Sequence, residues 1–134
     1  MDDCLFCKIV RGEIPCHKIY EDDDVLAFLD ITNDPEGHTL VIPKKHSDNM
    51  FDIPYEDYLK VQNVVLKISK HYKEIGYAQG INTYINSGKC AGPMVSHFHE
   101  HIIPRNVDDG IKIEKTQKVS TTELSDVAKK LGLN

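Results

Sequence analysis

The chain is 134 residues long, 40% hydrophobic and 28% charged, with a formal net charge of −5, the length and composition of one ordinary globular domain that can bury a core. The acidic balance sets against broad, sequence-independent binding to nucleic acid, which needs a basic face, but leaves room for a single nucleotide held by a few neutral donors. No apolar run approaches the roughly 18 residues that a membrane span requires.

The chain opens on "MDDCLFCKIV", an acidic start without a charged-then-apolar leader, so no secretion signal is expected. Its four cysteines, Cys4, Cys7, Cys16 and Cys90, are therefore expected as reduced thiols in the cytoplasm. Cys4-x-x-Cys7 reads as half a metal site or a redox pair rather than a staple. "CLFCKIVRGEIP" suits a single helical turn followed by a loop ending at Pro15. "HKIYEDDDVLAFLDI" reads as strand, solvated acidic turn, strand. "GHTLVIPKKH" is a third strand, with His38, Leu40 and Ile42 on one face, Thr39 and Val41 on the other, and Pro43 at its end. From about Pro54 to Ile75, Tyr58, Val61, Val65, Ile68, Tyr72 and Ile75 recur at spacings of three and four, which predicts a long helix with one apolar stripe. Asp52 and Pro54 supply its start signals and Gly76 its stop.

"INTYIN" is a fourth strand carrying Asn82, Tyr84 and Asn86 on one side. "SGKCAGP" is a glycine-bearing loop and "HFHEHIIP" a fifth strand. In the tail, Ser120-x-x-Glu123 resembles a capping box before a short helix that stops at Gly132. Strands and one long helix without βαβ alternation predict an α+β domain: a five-stranded antiparallel sheet, one long helix and short flanking helices, over residues 1–134 as a single unit.

His97, His99 and His101 stand at every second position. In an extended strand they share a face, while Phe98, Glu100 and Ile102 point the other way. The backbone from His97 to His101 would then span roughly 13 Å at about 3.3 Å per residue. Three imidazoles on a straight strand hardly converge on one ion whose ligand atoms must lie about 2 Å away. A flat substrate lying along the strand suits the row better.

"HFHEHII" resembles the motif His-φ-His-φ-His-φ-φ of the histidine triad (HIT) family, where φ is apolar. "CLFCKIVRGEIP", "EDDDVLAFLDI" and "GHTLVIPKKH" resemble, in order and spacing, other signatures of its Hint-like branch. The likeness runs from about residue 4 to 105, leaving 106–134 as an extension with a short helix. The resemblance implies a nucleotide hydrolase acting at the α-phosphate of purine nucleoside monophosphate derivatives through a nucleotidyl-histidine intermediate. On this chain it makes His99 the nucleophile, His101 a donor to a phosphoryl oxygen, His38 an orienting histidine and Asn86 a phosphate-side contact. Asp30 and Ile31 match the ribose and base pocket. Amides near Gly88 and Gly92 are further phosphate donors or a plain turn. A nucleophilic imidazole must carry its proton on the far nitrogen, held by an acceptor.

The resemblance also implies one structural zinc per chain, with His46 and His97 joining Cys4 and Cys7, and a homodimer whose sheets run together. Cys16 and His17 are spare metal candidates; nothing in the sequence assigns Cys90. Two departures stand out. Pro93 and Met94 occupy places where the family usually has glutamine and serine, and a proline supplies no N–H. Glu100 takes an apolar position, so its carboxylate must be paired, exposed or at a subunit contact. Two rival functions follow: a nucleotide-binding module with weak or no catalysis, or a metal-dependent hydrolase using His97 and His99 with Glu100 as base.

Overall fold

The computed structural model describes residues 3–92, 95–113 and 119–133. A short helix α1 (Leu5–Val10) precedes a hairpin of β1 (Lys18–Glu21) and β2 (Val25–Leu29), then β3 (Thr39–Pro43). The long helix α2 (Tyr55–Glu74) follows, then β4 (Gly80–Tyr84), a 3₁₀ turn (Lys89–Ala91), β5 (Glu100–Arg105) and the tail helix α3 (Leu124–Leu131). The five strands form one sheet in the order β1-β2-β3-β5-β4, and every neighbouring pair is antiparallel. The α+β architecture is as the sequence predicts. No described helix is long and apolar enough to cross a membrane.

Period two divides the strand side chains between two cores. Val25, Ala27, Val41 and Ile102 pack with Phe98 against Val61, Val64, Val65, Ile68 and Tyr72 of α2. Leu26, Phe28, Leu40 and Ile42 face the other way and pack on Phe6 of α1. The candidate site histidines sit on this second face. Tyr72 reaches through the first core to share a hydrogen bond with Thr39 (2.7 Å), whose hydroxyl also lies 2.8 Å from the Gly37 carbonyl. This fixes the start of β3, and so the position of His38. Gly37 itself has φ of +82°, and a Cβ there would stand 2.7 Å from the Tyr77 ring. Both the turn and the close approach demand glycine.

Three sequence signals resolve differently. Ile75 is 61% exposed, because the helix ends at Glu74 and the apolar stripe closes at Tyr72. Asp52 accepts from the N–H groups of Asp48 and Asn49, capping the turn before α2, and Pro54 takes the N-cap position without a side-chain bond. In the tail, Ser120 accepts from Thr122 N–H and Glu123 is the N-cap. In both places a serine or aspartate satisfied the nearest free amides, a turn before the helix began.

Candidate functional site

The fifth strand begins at Glu100, so only His101 of the three histidines lies within the regular ladder. His97 sits in a tight turn, its N–H donating to the Val95 carbonyl at 2.8 Å, and Phe98 N–H donates to the Ser47 carbonyl at 2.6 Å. This bend turns His97 away from the row without moving it off the face. Phe6 stands edge-on to both His97 and His99, at 5.9 and 5.2 Å between ring centres.

His97 is fully buried, and its Nδ1 lies 3.4 Å from Cys4 Sγ and 3.5 Å from Cys7 Sγ. His46 Nδ1 lies 3.4 Å from Cys7 Sγ, and all four donor atoms fall within 4.8 Å of one another. A tetrahedral ion with bonds of about 2.3 Å to sulfur and about 2.0 Å to nitrogen places neighbouring donors roughly 3.5 Å apart. The donor set fits. The outer nitrogens are engaged as well: His97 Nε2 contacts the Pro43 carbonyl at 2.8 Å, and His46 Nε2 contacts Asp48 Oδ1 at 2.9 Å. Each acceptor draws the ring proton outward and leaves an Nδ1 lone pair for a metal, as backing groups of metal-binding histidines do. Cys4 also caps α1, accepting from Cys7 N–H at 3.3 Å. All four cysteines are free thiols. Asp48 and the Pro43 carbonyl carry no motif that marks them in the sequence.

The second cluster orients its nitrogens differently. His99 Nδ1 lies 2.7 Å from the His97 carbonyl; a carbonyl only accepts, so Nδ1 holds the proton and Nε2 the lone pair. His38 Nδ1 lies 3.2 Å from the Asp34 carbonyl, which likewise places the proton there. The Nε2 of neutral His38 then accepts from His101 Nδ1 at 2.8 Å. His101 is left with an unprotonated Nε2 that is buried and has no partner among the described residues. Burial, followed by the neighbouring His99 and His38, pushes His101 down to about 4, and burial lowers His99 as well. Both imidazoles are neutral at pH 7.

Asp30 closes this end of the site. One carboxylate oxygen accepts from the Thr32 amide and hydroxyl at 2.9 and 2.7 Å; the other stands 3.9 Å from His38 Nδ1. Burial raises its pKa, but the Thr32 bonds, aided by His38 and His101, outweigh it and hold the carboxyl below its usual range. Next to it opens an apolar cavity of about 230 Å³ walled by Phe6, Ile9, Phe28 and Leu40, with Asp30 and Ile31 at its edge. Ile31 is 91% exposed, so it forms a rim. Cys16 also lines this cavity and is not among the four clustered donors it was a spare candidate to join.

Asn86, half-buried just past β4, keeps its side-chain nitrogen 3.3 Å from where a Cβ on Gly92 would stand. With φ of +136° at Gly92 as well, this loop requires glycine there. Pro93 and Met94, the two departures, lie outside the described residues. Glu100 points to the opposite face, 4% exposed, and accepts from the Gln62 amide. Burial raises its carboxyl despite hydrogen bonds from Gln62 and Thr83. It is paired, and the full thickness of the sheet separates it from the histidines.

Residues 11–108 match the family described as HIT domain. The chain is 42% identical over 102 residues, 76% of its length and 74% of its relative's, to adenosine 5'-monophosphoramidase of Schizosaccharomyces pombe. A HIT-family crystal structure from Bacillus subtilis superposes with a TM-score of 0.84 at 40% identity, covering 95% of this chain and 91% of that one. A zinc-bound histidine triad protein from Mycobacterium smegmatis does so with a TM-score of 0.79 at 38% identity, over 87% and 85% of the two chains. Cys4 and Cys7 fall outside the matched range, so their half of the metal cluster rests on the geometry above.

Proposed function

This chain belongs to the histidine triad (HIT) family, and from that premise we propose that it is a nucleotide hydrolase that cleaves purine nucleoside 5'-phosphoramidates and related α-phosphate derivatives. The observation that carries this reading is the pair of fixed tautomers: His99 presents an Nε2 lone pair, and beside it His101 presents a buried, unpaired Nε2. His99 Nε2 attacks the α-phosphorus and the amine, phosphate or acyl group departs. Water then cleaves the resulting nucleotidyl-histidine, regenerating the neutral ring. The base occupies the apolar cavity and the free oxygen of Asp30 accepts from a ribose hydroxyl. Asn86 and the loop amides hold the phosphate.

His101 cannot donate to a phosphoryl oxygen while His38 and His101 are both neutral. One added proton at His101 Nε2 makes that ring a cation: its Nδ1–H stays on His38 Nε2, and the new Nε2–H turns to the phosphate. The incoming phosphate supplies the negative charge that draws this proton into a site where burial otherwise opposes it. The cluster of Cys4, Cys7, His46 and His97 holds one zinc per chain, a closed four-ligand structural site that ties α1 to the sheet. Free thiols at that cluster suit a reducing compartment, and we assign the protein to the cytoplasm. A homodimer with continuous sheets would join through one of the two outer strands, β1 or β4.

The test is hydrolysis of AMP joined to a lysine amine by wild type and His99→Ala, each before and after brief chelation. Turnover that survives chelation and vanishes in the variant supports the nucleophilic row. A wild type that binds AMP without turnover makes the protein a nucleotide-binding module, and activity lost on chelation and restored by metal favours a metal-dependent hydrolase.

A further inference from the structure

We propose that Tyr84 is a positioning residue for this reaction, holding His101 by its ring face so that Nε2 addresses the phosphate. Tyr84 and His101 are direct cross-strand partners of β4 and β5. Their rings stack with centres 4.1 Å apart and planes 11° from parallel, and His38 grips the same imidazole at its edge through Nδ1. His101 is thereby fixed about two different axes, from β4 and from the residue that precedes β3. The inference rests on the assignment of His101 as a phosphate donor.

The stacking geometry bears on chemistry as well as placement. Two neutral aromatic rings prefer to slide apart or meet edge-on, with centres about 4.5–7 Å apart. A near-parallel, closer stack suits a cation above a ring face, where the negative quadrupole of the phenol attracts it. Tyr84 therefore favours the protonated, donating His101 over the neutral ring. The other groups facing His101 are His38 just before β3, His99 on its own approach, and Asp30 just after β2. The two histidines oppose the added charge and Asp30 supports it; Tyr84 is the uncharged member of the set that sides with the carboxylate. Its hydroxyl takes no part in the stack, so phenylalanine retains the effect and an aliphatic residue loses it.

The experiment compares wild type, Tyr84→Phe and Tyr84→Leu by two readouts: steady-state hydrolysis of AMP-lysine phosphoramidate across pH, and NMR titration of the His101 ring without substrate. Tyr84→Leu should lower kcat about tenfold with KM little changed, and move the His101 titration down by about one pH unit. Tyr84→Phe should restore both to within about twofold of wild type. An unshifted His101 in the leucine variant overturns the proposal, as does a phenylalanine variant as impaired as the leucine one. If Tyr84→Leu fails to fold, Tyr84→Val, a better strand former, is read by the same criteria. Should wild type itself lack turnover, the hydrolase assignment fails separately, and the ring titration still decides whether Tyr84 holds and charges His101.

Discussion

Two histidine clusters a few ångströms apart use the same side chain for opposite ends. At the thiols, His46 and His97 bind outward acceptors through Nε2, the Asp48 carboxylate and the Pro43 carbonyl, and turn Nδ1 inward. In the row beside it, His99 binds the His97 carbonyl through Nδ1 and turns Nε2 outward. The shorter Nδ1 reach suits donors gathered against α1, while Nε2, at the tip of the ring, suits a substrate above the sheet. One backbone residue links the clusters: His97 offers its ring to the thiols and its carbonyl to His99. In the proposed roles, what separates a metal ligand from a nucleophile is which ring nitrogen an outer acceptor has already taken.

That contrast can be broken from either side. The largest effect is expected from His99→Ala, which should lower kcat by about four orders of magnitude or more while leaving zinc content and the unfolding midpoint close to wild type. Metal analysis and urea unfolding alongside the kinetics check this; loss of zinc in the variant would mean that the clusters are not separable. The complementary change, Cys7→Ser, should release the metal and cost more than about 4 kcal/mol of stability, with kcat per folded molecule much less affected than in His99→Ala. A Cys7→Ser protein that is fully stable yet inactive would reverse the division of labour.

A smaller effect separates the clusters by pH. His101 titrates near 4 when folded against 6.5 when exposed, so below pH 6.5 the unfolded chain takes up a proton that the folded chain refuses. Stability from this group is intact above pH 6.5 and is lost as pH falls toward 4, by about 3 kcal/mol at roughly 1.4 kcal/mol per pH unit. Urea unfolding at pH 7 and pH 4.5 should show wild type losing more stability than His101→Asn. Acid release of a metal affects both proteins alike, so the difference between them is the readout. Equal losses would mean that the His101 ring is not held neutral by its surroundings.

Much of this was legible in the sequence because it was local or periodic. Valines and tyrosines at spacings of three and four marked α2, and alternation marked the strands. The triad with its flanking motifs pointed to His38, His99 and His101. Even so, a straight fifth strand was expected through His97, whereas the ladder begins at Glu100. The bend depends on a hydrogen bond to Ser47, 51 positions upstream, and no local pattern encodes that. The stack of Tyr84 on His101 is hidden for a related reason: it exists only once the register of β4 against β5 is known. Asp48, which backs His46, lies two residues from it and reads as an ordinary surface carboxylate.

The smallest expected effect concerns the face that the histidines do not use. Glu100 is held by Gln62 and Thr83 beneath α2, and its burial makes the ionised form costly. A carboxyl raised in this way favours folding most below about pH 4.3, the ordinary glutamate value, and loses that advantage as pH climbs through its folded value. Glu100→Gln keeps an acceptor for Gln62 and gains a donor for Thr83. It should therefore be neutral or stabilising by up to about 1 kcal/mol at pH 8, with its stability flatter across pH 5–8 than wild type. Its kcat should stay within about twofold, because the sheet separates it from the reacting atoms. A large fall in kcat without loss of fold would instead recover the general base of a metal-dependent hydrolase, and would require the strand to rotate Glu100 onto the face where His99 now stands.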